Sequence, residues 1–204
     1  MLCSCYKLRK YPNSLFSKGN PVVYNGYAIY YEAFKDCYSL DEVIDLPFPH
    51  YNTSWTSDAF YYIVSNCHRL KNFTFKLQED GTPYVMKWKS QTIDLSQNVG
   101  YTEYTYHMTN NANFTDDTKI KDDATYQALK DNPDNWASNI NYSRYNHDSA
   151  VNTINSLPDC SATGTNTIKF QGAAGALTDG GAINTLTEEE IAVAAAKGWT
   201  VTFS

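Results

Sequence analysis

The sequence predicts an α/β fold, an irregular solenoid with long insertions that ends in a helix–strand cap. Three observations predict it: a recurring apolar-x-x-Cys-x-x-Leu motif, a short apolar segment after each motif, and a well-marked helix and strand at the end of the chain. The motif cysteines are Cys5, Cys37 and Cys67, which are 32 and then 30 residues apart. Such near-constant spacing is typical of repeat proteins, in which each unit buries its apolar face against the next.

The motif identifies the expected core positions of each unit. In the first three units these are Cys5 and Leu8, then Phe34, Cys37 and Leu40, then Val64, Cys67 and Leu70. A fourth unit follows near residue 148, with Ile154 in the place of the cysteine and Leu157 in that of the leucine. We expect all of these side chains to pack in the core.

Local patterns around the motif predict the secondary structure of each unit. Apolar alternation predicts strands at 43–46, 73–75, 93–95 and 168–170. A helical or irregular run precedes each cysteine, and in the third unit Asp58 would serve as a helix N-cap. Asp148 is the predicted N-cap of the helix in the fourth unit.

The C-terminal segment carries the clearest local signals. Thr187 and Glu190 form the two ends of a capping box, which starts a helix. Gly198 is the expected left-handed residue after that helix. Trp199 then opens a closing strand at 199–203, with alternate apolar residues on one face.

The pattern divides the chain into three regions. Residues 1–95 carry leucine-containing repeats, residues 96–147 are a polar and aromatic excursion, and residues 148–204 contain the terminal repeats and the cap. Long excursions in repeat proteins are usually loops inserted on one face, often the binding face.

Composition excludes several classes of partner. The net charge is −6 and the isoelectric point is near 5.1, whereas a phosphate-backbone binder needs clustered positive charge. We therefore expect no nucleic acid partner. No segment approaches the roughly 20 apolar residues that span a bilayer, and the N-terminus shows no signal peptide.

Because the sequence opens within a repeat, we expect it to be the C-terminal part of a longer protein, or another protein to cover that end.

Enzymatic chemistry is not indicated. The sequence lacks nucleophile, phosphate-loop and dinucleotide motifs, and paired Cys-x-x-Cys or Cys/His spacing for zinc is missing. We expect no catalytic residues, metal or cofactor, and we interpret the motif cysteines as buried thiols. A polysaccharide hydrolase would need two carboxylates facing one groove, about 5 to 9 Å apart, and no sequence feature indicates such a pair.

Aromatic content points instead to recognition. The chain has 17 tyrosines and 4 tryptophans, residue types that are enriched at recognition surfaces. Tyrosines cluster at 24–31, at 61–62 and at 101–106. The candidate ligand-binding residues are Trp88, Tyr101, Tyr104, Tyr106 and Trp136.

The run Ala33-Phe34-x-x-Cys37-x-x-Leu40-x-x-Val43 resembles the BspA-type leucine-rich repeat of bacterial surface proteins and some phage proteins, over residues 1–95. The stretches at 142–150, 155–158, 186–192 and 197–201 are similar to the closing segment of surface and virion proteins of crAss-like gut bacteriophages, over roughly 120–204. The resemblance implies a leucine-rich repeat fold on a virion or an extracellular bacterial surface. The insertions of this chain are longer than those of a regular array of leucine-rich repeats, so we do not expect a smooth horseshoe.

Two hypotheses of function follow. The first is a non-enzymatic adhesion or recognition module that contacts a host-surface glycan or protein. The second is a structural virion subunit (a decoration, fibre or connector) that docks on neighbouring virion proteins through an exposed first repeat.

Overall fold

The computed structural model describes residues 2–5, 8–11, 30–37, 40–48, 59–67, 70–96, 145–170 and 186–203. Within these residues the fold is mixed α/β. Its elements in chain order are β1 (Glu42–Leu46), β2 (Asn72–Phe75), β3 (Thr92–Asp94), α1 (His147–Ser156), β4 (Asn166–Phe170), α2 (Glu188–Ala196) and β5 (Trp199–Phe203). The five predicted strands are confirmed to within two residues at their ends.

The strands pair in parallel in two sheets. β1 pairs with β2, and β4 lies between β3 and β5. β4 and β5 are in register over five residue pairs, from Asn166 with Trp199 to Phe170 with Phe203. The register of β1 shifts next to Asp45, which has a φ of 53°. Parallel neighbouring strands must be joined by a crossover connection. Such connections are expected where each strand belongs to a different repeat.

The residues before each motif cysteine form the same turn three times. The N–H of Cys37 donates to the carbonyl of Phe34 at 3.1 Å, and the N–H of Leu40 donates to the carbonyl of Cys37 at 2.9 Å. The equivalent bonds recur around Cys5 and Cys67 at 2.9 to 3.2 Å. We call these units the first layer (2–5 and 8–11), the second layer (30–37 and 40–48) and the third layer (59–67 and 70–75).

Left-handed residues keep these turns from continuing as helices. The residue directly before each motif cysteine has φ near 60°: Ser4 at 60°, Asp36 at 59° and Asn66 at 60°. An α-helix requires φ near −63° at every position. The prediction of irregular structure before each cysteine is therefore confirmed. Residues 59–66, for which a helix was the other predicted form, consist of turns. Asp58 lies outside the described residues.

Main-chain hydrogen bonds join the layers at equivalent positions. Phe34 N–H donates to the carbonyl of Ile63 at 2.9 Å, and Leu2 N–H donates to that of Ala33 at 3.0 Å. Asp36 N–H likewise donates to the carbonyl of Ser65 at 2.8 Å. Buried backbone groups need partners, so each layer completes the hydrogen bonding of the one before it.

The motif thiols add a second set of bonds between layers. Cys37 Sγ donates to the carbonyl of Leu2 at 3.0 Å, and Cys67 Sγ donates to that of Phe34 at 3.1 Å. In both cases the acceptor lies three residues before the cysteine of the preceding layer. Cys37 and Cys67 are thus both core side chains and links between layers.

Helix α1 covers the outer edge of β2 with a row of hydroxyl groups. Ser149 Oγ donates to the carbonyl of Lys71, and Thr153 Oγ1 donates to that of Phe73 at 2.5 Å. Ser156 Oγ accepts from the N–H of Phe75 at 3.0 Å. Helical residues spaced by three or four lie on one face. The sheet of β1 and β2 therefore ends at this helix.

The N-cap of α1 is Asn146, so the prediction of Asp148 was wrong. The Asn146 side chain accepts from the N–H of Ser149 at 3.0 Å, and Ser149 Oγ accepts from the N–H of Asn146 at 3.3 Å. Asn146 has an extended backbone, which aims its side chain at the free N–H groups of the first turn. Asp148 lies inside that turn.

The predicted cap is confirmed. Glu190 Oε2 accepts from the N–H of Thr187 at 2.8 Å, and Thr187 Oγ1 accepts from the N–H of Glu190 at 3.2 Å. Gly198 has a φ of 79°, and a Cβ there would lie 2.7 Å from the carbonyl oxygen of Cys160. Trp199 is buried, and its Nε1 donates to the carbonyl of Pro158 at 2.9 Å.

One hydrophobic core spans both sheets. Its motif positions with at most 1% exposure are Phe34, Cys37, Leu40, Val64, Cys67, Leu70, Ile154 and Leu157. Cys5 and Leu8 of the first layer are only partly buried. Trp88 lies between the sheets, with ring centroids 5.1 Å from Phe60 and 6.4 Å from Trp199.

The hydroxyl row on α1 leads to a prediction of stability. Ser156→Ala removes the acceptor of the buried Phe75 N–H, so we expect the free energy of unfolding to fall by about 1 to 3 kcal/mol. The control is Asn152→Ala at an exposed position of the same helix, which we expect to change it by less than about 0.5 kcal/mol. Urea unfolding measures both. Equal stabilities of the two variants would contradict the role of this row.

Candidate recognition surface

The stacked turns place a row of tyrosines at the surface. Tyr31 and Tyr61 occupy the same position of the second and third layers, six residues before the cysteine, and their ring centroids are 5.6 Å apart. One residue earlier, Tyr30 and Phe60 stack at the same 5.6 Å but are fully buried. Neighbouring positions of the turn therefore point in opposite directions, one row into the core and the other outward.

Tyr62 extends this row into a cluster. Its ring centroid lies 3.9 Å from that of Tyr61, and the Tyr61 hydroxyl donates to the Tyr62 hydroxyl at 2.9 Å. Tyr61 is 42% exposed, while Tyr31 and Tyr62 are half-buried. We call Tyr31, Tyr61 and Tyr62 the tyrosine cluster.

The backbone of Tyr62 is unusual for so large a side chain. Its φ is 54°, a left-handed value that bulky residues rarely adopt. Glu32, at the same position of the second layer, has a φ of 50°. The repeated turn thus imposes this conformation, and it turns the Tyr62 ring toward Tyr61.

A paired lysine and glutamate lie beside the tyrosine cluster. Lys35 Nζ lies 2.7 Å from Glu32 Oε1 and 5.3 Å from the centroid of the Tyr62 ring. The hydrogen bond to Glu32 raises the pKa of Lys35, which therefore carries its charge at neutral pH. Asn66 Nδ2 donates to Asp36 Oδ1 at 2.7 Å. These charged and polar side chains of the same turns therefore already have polar partners.

Of the predicted ligand-binding residues, Trp88 lies within the described part of the chain. Trp88 is fully buried among core aromatic rings, which corrects its interpretation as a contact residue. Tyr101, Tyr104, Tyr106 and Trp136 lie outside the described residues. The surface row could have been found from the aromatic pairs six and seven residues before Cys37 and Cys67, although the pairs alone do not tell which member faces outward.

The three buried thiols are not arranged for nucleophilic chemistry. All five cysteines are free, and Cys37, Cys67 and Cys160 are buried. Burial raises the pKa of Cys37 and of Cys160 to about 12 and raises that of Cys67 as well. A thiol must be deprotonated to act as a nucleophile. The buried cysteines therefore pack as core side chains.

Titratable groups at the C-terminal helices hold those helices together. His147 Nε2 lies 3.1 Å from Glu190 Oε2, which joins the first turn of α1 to that of α2. Its hydrogen bonds to Asp148 and Glu190 raise the pKa of His147. Lys197 Nζ donates to the last carbonyls of α1, those of Ile154 and Asn155, while burial lowers its pKa to about 8.

The part of the chain that the structure describes contains no group of three or more His, Cys, Asp or Glu side chains placed to hold a metal ion. No helix among the described residues is long and apolar enough to cross a membrane.

No family model, curated protein or solved structure matches this chain.

The burial of the thiols predicts how they react. At about pH 8 we expect a disulfide reagent such as DTNB to modify the two partly exposed cysteines, Cys3 and Cys5, and to leave Cys37, Cys67 and Cys160 unmodified. In denaturant all five cysteines should react. Rapid modification of more than two thiols in the native protein would contradict the layered core.

Proposed function

We propose that this chain is a non-enzymatic adhesion or recognition module of a phage virion or bacterial surface protein, which contacts a host-surface glycan or protein. The observation that carries the proposal is the tyrosine cluster, whose most exposed member, Tyr61, is 42% accessible. Tyrosine combines an apolar ring with a polar tip and loses little conformational entropy on binding.

We also propose that the fold is a short, irregular solenoid of the leucine-rich type. The support is the recurrence of the same turn bonds and the same bonds between layers at motif positions. Its irregularity is supported by α1, whose hydroxyl groups occupy the edge of β2.

Rigidity of the tyrosine cluster supports a role in binding. The carbonyl of Tyr61 accepts from the N–H of Glu32 at 2.9 Å, and that of Tyr62 accepts from Ser65 at 3.2 Å. The carbonyl of the neighbouring Ile63 accepts a hydrogen bond from the N–H of Phe34 in the second layer. Contact residues that are held in place before binding lose less freedom when the partner arrives.

A second candidate function is that of a structural virion subunit that docks through the first layer. Leu2, Cys5 and Leu8 are only partly buried, whereas the equivalent side chains of the second and third layers are fully buried. Burying such apolar surface against a neighbouring protein would be favourable, at about 25 cal/mol per Å².

The adhesion proposal predicts saturable binding of the fluorescently labelled chain to a candidate host cell. We expect Tyr61→Ala to weaken binding about tenfold or more, because exposed tyrosines commonly dominate binding energy. Val193→Ala is a matched control, since Val193 is 39% exposed on α2 and should leave binding unchanged. Flow cytometry measures binding, and urea unfolding checks that both variants are folded.

Periodate oxidation of the cells separates the two kinds of receptor. Loss of binding after oxidation would identify a glycan, and its persistence a protein. Equal binding by the Tyr61 and Val193 variants would contradict a role for the tyrosine cluster. If the wild-type chain binds none of the candidate cells, the structural candidate is favoured.

A further inference from the structure

We infer that His147 is a pH-sensitive link between the two C-terminal helices. Its ring holds the first turn of α1 to that of α2 while it is protonated, and the link weakens when the proton is lost. We call His147, Asp148 and Glu190 the histidine link. This inference goes beyond the proposed function and does not depend on it.

The geometry of the histidine link requires a protonated ring. His147 Nε2 lies 3.1 Å from Glu190 Oε2, and His147 Nδ1 lies 3.2 Å from Asp148 Oδ1. An ionised carboxylate can only accept hydrogen bonds, and a neutral imidazole has a single N–H. A neutral ring therefore donates to one carboxylate and turns a lone pair toward the other. The imidazolium form donates to both.

The two carboxylates have different parts in the link. Asp148 belongs to α1 itself, and its side chain is 89% exposed, so it contacts the ring without joining the helices. Glu190 belongs to the first turn of α2, and its Oε2 also accepts from the N–H of Thr187 at 2.8 Å. The capping box thus fixes the carboxylate that the ring of His147 meets.

The charged groups of the neighbouring elements are mainly acidic around His147. α1 packs against β2 and α2. β2 has no charged residue, and Lys71 directly before it pairs with Glu42 at 3.7 Å. The first turn of α2 carries Glu188 and Glu189 in addition to the linking glutamate. Helix N-termini disfavour a nearby cation, so protonation of His147 depends on the acidic side chains that face it.

The pKa shifts define the pH range of the link. The hydrogen bond to Asp148 and then that to Glu190 raise the pKa of His147 above its ordinary value of 6.5. A raised pKa of a cation adds stability below the unfolded value, and this stability is lost as the pH rises through the folded pKa.

Glu190 sets the acid limit of the same range. The N–H of Thr187, and then His147, lower the pKa of Glu190 below its ordinary value of 4.5. Its contribution to stability is present above 4.5 and is lost as the pH falls through the folded pKa. The histidine link is therefore strongest between pH 4.5 and 6.5 and weakens above that range.

Lys197, at the other end of α1, titrates with the opposite effect on stability. Burial lowers its pKa from 10.5 to about 8. Between these values the unfolded chain binds more protons than the folded chain, so stability rises with pH. A test of the histidine link must therefore compare variants that all keep Lys197, at pH values up to about 8.

The first test is an NMR titration of the His147 ring in the full chain. We expect its pKa to lie above 6.5 and to fall in the Glu190→Gln variant, because the carboxylate that stabilises the imidazolium is removed. Glutamine preserves the capping box. The matched control is Glu189→Gln, which removes the same charge from an exposed position of the same turn and should leave the pKa of His147 nearly unchanged.

The second test is amide hydrogen exchange at the start of α2. The N–H of Ile191 donates to the carbonyl of Thr187 at 3.0 Å, so its exchange reports opening of the first turn. At about pH 5.5 we expect this amide to exchange roughly threefold more slowly in the wild type than in His147→Gln. The ratio should fall toward one at about pH 8, while the N–H of Gly81 should show no difference at either pH.

Each outcome decides the inference. A pKa of His147 that is not raised, or that falls equally in the Glu189 and Glu190 variants, would overturn it, because no specific link would then exist. An equal ratio of the Ile191 exchange rates at both pH values would also overturn it, since His147 would then stabilise the helices without acting through its proton.

Discussion

Main-chain hydrogen bonds between consecutive turns are the constraint on which this fold depends. Phe34 N–H reaches the carbonyl of Ile63, and Asp36 N–H reaches that of Ser65. A turn of this form cannot satisfy these groups internally, and a buried group without a partner costs about 1 to 3 kcal/mol. The layers must therefore stack in register, and this register sets where every side chain points. The buried aromatic row and the exposed tyrosine cluster both result from it.

The same need for hydrogen-bond partners explains why helix α1 packs on the third layer. β2 has main-chain groups on its outer edge that need partners, and α1 supplies them from Ser149, Thr153 and Ser156. Covering an edge with a helix prevents further strand pairing. The next strands consequently form their own sheet, joined to the first through the core around Trp88. In the proposed solenoid this helix is the source of the irregularity.

Much of this fold could be predicted from local sequence patterns. The strands follow from apolar alternation, and the cap of α2 follows from the spacing of Thr187 and Glu190, because both signals act over a few residues. The N-cap of α1 was misplaced because Asn146 and Asp148 are equally good capping types, and only the backbone direction distinguishes them.

The candidate site was harder to predict, for a physical reason. Periodicity shows which residues share a face, but the direction of that face depends on contacts with other layers. Tyr30 and Tyr31 are the same residue type in adjacent positions, yet one is buried and the other half-buried at the surface. Trp88 was misread for a similar reason, since a tryptophan between polar residues resembles a surface residue until long-range packing covers it.

Amide hydrogen exchange tests the stacking most directly. We expect the N–H groups of Phe34 and Asp36, which donate hydrogen bonds between layers, to exchange nearly as slowly as global unfolding allows. The N–H of Gly81, bonded within an exposed turn to Gln78 at 3.0 Å, should exchange much faster. If all three amides exchange at similar rates, the layers do not hold each other in place, and the account of the fold and of the tyrosine cluster is wrong.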